Sequence, residues 1–236
     1  MRFARVLHNI HRVLEELDGI FLLMPILYVP GKAGSLLRRA YYGRRLKHLG
    51  RNVFIDVGVQ ILNPRYISIG DNTWIDKFVI LIAGEPLPGR ATYHKQNRTY
   101  PGEPFEIHIG SNCHIAPFVI IQGHGGFWLG DNCTMASGCK AYTFSHHYRN
   151  LANREDPRRD YVFTSQADPG DQAMISGAVM VEDGAAVGLN STLMPGVTVG
   201  KGSWIGSMSL VASDIPCGVV ASGSPAAPRK TKSTQP

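Results

Sequence analysis

Ala141 to His147 reads AYTFSHH, and its last two residues, His146 and His147, form the most chemically capable pair in the chain. A neutral imidazole within hydrogen-bond reach of a nucleophile can take its proton, and the imidazolium that results can hand the proton to a leaving group. The ordinary pKa of histidine, about 6.5, leaves the ring mostly neutral near pH 7. Taken alone, two adjacent histidines more often open a solvated loop than a site. Their position argues for function, because a regular repeat ends just before them and a polar stretch without the repeat follows.

Other side chains have weaker claims. His108, His114 and His124 fall at repeat or turn positions, with His124 in a Gly-His-Gly-Gly turn near enough in coil order to face a neighbouring site. Asp76, Asp131 and Asp183 could orient a base, although aspartates at turns mostly accept local amide hydrogen bonds. Cys113, Cys133, Cys139 and Cys217 contain no Cys-x-x-Cys pair and no histidine at zinc-finger spacing. Neither a disulfide framework nor a structural metal is indicated, and small buried thiols are the expectation.

The element that must position the histidines is a six-residue repeat. Val181, Val187, Leu193, Val199, Ile205 and Val211 recur at a constant spacing of six. Four residues after the first five of these come Ala185, Ser191, Val197, Ser203 and Ser209, small or β-branched and suited to a crowded inner corner. Gly184, Asn190, Gly196 and Gly202 lie between them, and these residue types tolerate a left-handed backbone at a sharp turn. The repeat therefore specifies strand, corner, strand. Three units make one triangular coil, and stacked coils pair their strands in parallel around a column of aliphatics. The pattern returns as Ile69, Ile75 and Leu81 with Asn72, as Ile109, Ile115 and Ile121 with Asn112, and as Leu129, Met135 and Ala141 with Asn132. Sandwich strands would alternate with period two instead. The expected fold is thus an all-β solenoid over residues 51–222, a left-handed parallel β-helix. Two stretches lack the period and are expected to loop out, at about 84–105 and 148–170. Loops that interrupt a scaffold commonly build its site.

A content of 44% hydrophobic and 18% charged residues fits a globular protein. The net charge of +6 is concentrated near the beginning, where Arg38, Arg39, Arg44, Arg45, Lys47 and Arg51 follow an apolar stretch. That order suits an anionic membrane surface better than nucleic acid, which is not expected as a partner. Phe3, Val6, Leu7, Ile10, Val13, Leu14 and Leu17 have helical spacing and predict an amphipathic helix within a helical segment over residues 1–50. Ile20 to Pro30 is too short to span a bilayer, which needs about 20 residues. A signal peptide fits poorly because a helix of mixed charge precedes the apolar run, so a cytoplasmic location is expected. Two readings of residues 1–50 stand open: a cap over the solenoid, and a shallow anchor at the inner membrane surface. Residues 223–236 read as a turn and a basic tail.

The repeat resembles that of the hexapeptide-repeat acyltransferases. Three further stretches strengthen the likeness: Ile205 to Pro216 (IGSMSLVASDIP) is similar to the last coil of that family's sugar O-acetyltransferases, Gly223-Ser224-Pro225-Ala226 to the turn that follows it, and AYTFSHH to the segment carrying the catalytic histidine. The stretch from Pro30, PGKAGSLLRRAYYGRRLKHLG, resembles the lead-in of the branch that acetylates surface polysaccharide, exopolysaccharide and lipopolysaccharide sugars. The resemblance implies an acetyl-CoA-dependent O-acetyltransferase acting on a sugar hydroxyl or a lipid-linked glycan, without a metal, as a homotrimer with sites between subunits.

The same resemblance implies His146 as general base, following a residue like Ser145, with His147 in reserve. It places Gly188, Ser207 and Ala212 along the pantetheine path, Gly223 at the adjoining turn, and Lys230 at the nucleotide phosphates of the coenzyme. Ala227 departs from a position often basic in the family, and Arg229 is the available substitute. The rivals are a carbonic anhydrase of the γ-class type on the same fold, an acetyltransferase for an amino sugar or antibiotic, and a scaffold without catalysis. The His-x4-His that such an anhydrase uses does not occur here.

Overall fold

The computed structural model describes residues 19–97, 100–157 and 160–232. The helix expected from Phe3 to Leu17 lies outside the described residues. From His48 onward the chain winds into a left-handed parallel β-helix with three walls. Sheet A stacks His48–Leu49, Ile67–Ile69, Ile107–Ile109, Phe127–Leu129, Val179–Val181 and Thr198–Val199. Sheet B begins with Phe54–Ile55, Trp74–Ile75 and His114–Ile115, continues through Thr134–Met135, Ala186–Val187 and Trp204–Ile205, and ends with Val219–Gly223 and the antiparallel Ala226–Thr231. Sheet C stacks Gln60–Leu62, Ile80–Ile82, Ile120–Gln122, Lys140–Tyr142, Thr192–Leu193 and Leu210–Val211. Equivalent residues pair in register, as Leu129 with Val181 and Val181 with Val199.

The repeat produces this arrangement position by position. All six aliphatics from Val181 to Val211 are buried in one continuous core, as are the small residues Ala185, Ser191, Val197, Ser203 and Ser209 at the inner corners. Each aliphatic contributes about 1.5–3 kcal/mol relative to exposure. Gly184, Asn190, Gly196 and Gly202 adopt the left-handed backbone expected of them. Phe78, Phe118 and Met208 do so as well, which bulky residues rarely accept, and their side chains stand exposed at the corner between sheets B and C. Cys113, Cys133 and Cys139 are buried free thiols in the small inward slots, each donating to a carbonyl of a neighbouring coil; Cys217 is exposed.

The first coil starts at His48, inside the segment expected to be helical, because Leu49 and Gly50 already occupy the strand and corner positions of the repeat. Ahead of it, the helix Gly31–Gly43 closes the open end. Arg38 is fully buried there and donates from Nε to the Ile55 carbonyl at 3.0 Å and from Nη1 to the Ile26 and Val29 carbonyls, each at 2.8 Å. Tyr42 donates to the Val59 carbonyl, and burial pushes its pKa up to about 12. A Cβ at Gly34 would lie 1.8 Å from the Val29 carbonyl oxygen, so only glycine lets the helix pass so close. Among the described residues no helix is long and apolar enough to cross a membrane.

The two insertions are not irregular loops. Both leave from the corner between sheets C and A, and they combine into one three-stranded sheet. Ala173–Ser176 is its centre, antiparallel to Phe144–His147 and parallel to Ala91–His94. The second insertion is therefore wider than residues 148–170, and His146 sits on an inserted strand rather than at a coil end. Lys95 and Asn97 then strap the first insertion back onto the solenoid through the Pro195 carbonyl and Thr198 Oγ1.

Candidate active site

Between the insertions the same corner is made by only four residues, Gly123 to Gly126, so it forms a low floor with a wall on each side. A Cβ at Gly125 would sit 2.4 Å from the Thr143 carbonyl oxygen, which is why this short turn carries so little side chain. Buried Thr143 pins it, accepting from the Gly125 amide and donating to the Gln122 carbonyl, each at 2.7 Å.

Above the floor lies a cavity of about 530 Å³. His146, Ser145, Tyr142, His124, Glu85 and Arg90 are among its lining residues. Gln122 also faces it, with a buried side-chain oxygen that has no hydrogen-bond partner among the described residues. His147 does not line the cavity; strand alternation turns it away, its Nδ1 lies 3.1 Å from the Arg149 amide, and its ring packs on Tyr148.

Nothing in the sequence pattern singles out Gln172, yet it organises the site. It is completely buried, and its Nε2 donates to the Ala167 carbonyl at 2.6 Å, which fixes the direction of the amide. Its oxygen then accepts from Arg90 Nε at 2.8 Å and faces His146 Nε2 at 3.3 Å. An amide oxygen only accepts, so the His146 proton belongs on Nε2 and the lone pair on Nδ1. His124 has the opposite tautomer. Its Nδ1 lies 2.7 Å from the Gly84 carbonyl oxygen, which assigns the proton to Nδ1 and leaves Nε2 basic.

The residues expected to meet a coenzyme are divided between two corners. Gly188, Ser207 and Gly223 follow one another up the corner between sheets B and C: a Cβ on Gly188 would lie 2.7 Å from the Ser207 nitrogen, and the Gly223 amide donates to Ser209 Oγ. Arg229 is tied to the Ser222 carbonyl beside them, and exposed Lys230 pairs with Val220 on the last strand. Ala212 begins the other corner, after Leu210–Val211. One chain does not bring Gly188, Ser207 and Gly223 into the His146 cavity, because the corner between sheets B and C and the inserted sheet are separated by the width of sheet C; Ala212 shares the corner of the insertions but does not line the cavity.

Two of the three acidic residues accept backbone amides, from the neighbouring coil rather than from their own turn. Asp131 accepts from the Ser111 amide at 2.6 Å and Asp183 from the Asp131 amide at 3.0 Å. Asp76 instead holds His114 Nε2 at 2.9 Å on sheet B, away from the cavity. His108 stacks on Trp128 with centroids 3.7 Å apart, and burial holds its pKa below the ordinary 6.5. Among the described residues no three His, Cys, Asp or Glu side chains gather where they could hold a metal ion.

Comparison with known proteins agrees with this architecture. The hexapeptide repeat of succinyl-transferase matches residues 178–207. The chain is 27% identical over 188 residues to dTDP-4-amino-4,6-dideoxy-D-glucose acyltransferase of Escherichia coli, covering 79% of this chain and 83% of that protein. It is 31% identical over 98 residues to the galactoside O-acetyltransferase of Escherichia coli K12, covering 41% and 44% of the two chains. Among solved structures, the N-acyltransferase AntD from Bacillus cereus, in complex with dTDP and coenzyme A, superposes with a TM-score of 0.66 at 22% identity, over 83% of this chain and 90% of that one. The hexapeptide-repeat acetyltransferase VCA0836 from Vibrio cholerae, complexed with acetyl coenzyme A, superposes with a TM-score of 0.53 at 20% identity, over 90% and 84%. With the period, the triangular coil and these likenesses in agreement, the chain has the fold of the hexapeptide-repeat acyltransferases and is similar to them in sequence, with that repeat matched at residues 178–207.

Proposed function

We propose that the protein transfers an acetyl group from coenzyme A to a group carried on a sugar, with His146 as general base. The observation that carries this reading is the cavity in which His146, its ring held by buried Gln172, stands among polar side chains. The acceptor heteroatom attacks the thioester carbonyl as His146 Nδ1 takes its proton, the carbon–sulfur bond breaks, and the imidazolium protonates the departing thiolate. No acyl-enzyme is needed. The resemblance in the sequence favours a hydroxyl nucleophile, in surface polysaccharide, exopolysaccharide or lipopolysaccharide synthesis. The Escherichia coli relative matched over 188 residues acts on an amino sugar, which favours an amine as the second reading.

The corner between sheets B and C suits the coenzyme. Gly188, Ser207 and Gly223 offer a narrow path with little side chain, and Arg229, Lys230 and Lys232 supply cations for phosphates at its end. Since the His146 cavity lies at a different corner, a neighbouring copy is proposed to supply the coenzyme path, in a homotrimer. The cap suits the cytoplasmic face of a membrane: Phe21, Leu22, Met24, Tyr28, Leu36 and Leu37 are exposed, and residues 19–50 include Lys32, Arg39 and Arg44 but no acidic side chain.

The test is incubation with labelled acetyl-CoA and a panel of free, nucleotide-linked and lipid-linked sugars. Transfer that His146→Ala reduces by at least ~10²-fold is expected. Full activity of that variant would remove His146 from the mechanism, and failure of the wild type to bind coenzyme A would favour a scaffold role.

A further inference from the structure

His124 meets the requirements for a base on grounds separate from those that singled out His146. It stands on the floor of the same cavity, its tautomer is fixed by a backbone carbonyl, and its basic nitrogen is the one that this bond leaves unengaged. Three parts of the chain set the ring: the first insertion through Gly84, Thr143 through the Gly125 amide, and the Phe144 ring packed edge-on at 6.1 Å. Such restraint is what a proton acceptor requires to meet a bound nucleophile in one orientation.

We propose that His124 is a second catalytic base of the His146 cavity, and that the acceptor class this pair fits is a protonated amine. The inference rests on the reading of the cavity as the acyl-transfer site. A hydroxyl acceptor gives up one proton and the thiolate takes it back, so a single base completes the cycle. An ammonium must lose two. The first passes to His124 Nε2 and frees the nitrogen lone pair. Nitrogen then bonds to the thioester carbonyl carbon, the second proton passes to His146 Nδ1, and the carbon–sulfur bond breaks. His146 protonates the thiolate, and His124 releases its proton to water. One ammonium and one thioester thus become one amide, one thiol and one free proton.

The charged and titratable groups facing His124 come from both insertions and from sheet C. Glu85, Arg90, Tyr142 and His146 share its cavity, and His94 and Lys95 share with it a second cavity of about 320 Å³.

The test separates the basic nitrogen from the structural bond. His124→Asn keeps an N–H directed at the Gly84 carbonyl and removes the ring nitrogen that faces the acceptor. With dTDP-4-amino-4,6-dideoxyglucose and glucosamine as acceptors, this variant is expected to lose ~10-fold in kcat/KM near pH 7, where about one-tenth of an amine with a pKa near 8 is already neutral. The deficit should shrink as the pH passes ~8, where such an amine sheds its first proton to solvent. A loss that persists unchanged at high pH means that His124 only supports the fold, and it overturns the proposal. So does an unimpaired variant, or a wild type that acetylates hydroxyl sugars but neither amine. A wild type that acetylates no sugar overturns the function reading instead. Long-range ¹⁵N–¹H correlation spectra of the full chain need no acceptor: the proton is expected on Nδ1 of His124 and on Nε2 of His146, and a proton on Nε2 of His124 contradicts the inference.

Discussion

Gln172 Oε1 and His146 Nε2 lie 3.3 Å apart across two inserted strands, so the proposed base is aimed by an amide 26 positions further along the chain. Replacing Gln172 by Ala should leave coenzyme binding intact and lower kcat by ~10–100-fold, through a ring free to turn. Glu at the same position keeps an acceptor beside Nε2 and should restore most of the rate. Equal losses in both variants, or a change confined to KM, would assign Gln172 to the fold alone.

The aliphatic column predicts a second result. Leu193 is fully buried among coils on either side, so Leu193→Ala should cost about 2–5 kcal/mol, read as a lower urea midpoint. A variant as stable as the parent would mean that the coils do not share one core.

Corner geometry can be separated from corner crowding. Gly202 has a φ of +65° and open space where a Cβ would stand, so Gly202→Ala should cost about 1–2 kcal/mol through the backbone alone. Gly188 presents the opposite case: its φ is not left-handed, but a Cβ would meet the Ile205 carbonyl oxygen at 2.6 Å. Gly188→Ala should therefore disturb the local pairing, visible as faster amide exchange at that position, whereas Gly202→Ala should leave exchange around it unchanged.

His108 sets a pH dependence. Burial against Trp128 lowers its pKa in the folded chain, so an NMR titration should place its midpoint below the ordinary 6.5. Above that value neither state carries the proton and stability is unaffected. As the pH falls through 6.5 the unfolded chain takes up a proton that the folded chain refuses, and stability drops until the folded-state midpoint is passed. His108→Phe should flatten this part of the stability profile. An unchanged slope would refute the assignment.

The solenoid was legible because its rule is local: a side chain six positions on returns to the same inner column, and Val187, Leu193 and Val199 obey that rule without reference to anything distant. The inserted sheet was not, since Ala91–His94 and Ala173–Ser176 are brought together only after the two intervening coils have stacked. For the same reason His146 could be proposed as a base from the segment that carries it, while the part played by Gln172 and the tautomer of His124 could not be read there. Each depends on a partner remote in sequence, Arg90 in one case and the Gly84 carbonyl in the other. Phe78 and Phe118 hid two left-handed corners, since neither residue type announces that backbone.

Arg38, held by carbonyls from both the cap and the first coil, has a consequence for the molecule as an object of finite length. A stack of identical triangular rungs has no intrinsic reason to stop, and an uncovered rung is a template on which another chain's rung could settle. The guanidinium and the helix that carries it occupy that template with polar contacts a foreign rung cannot reproduce. An incoming rung would first have to displace that plug from the Ile55 carbonyl.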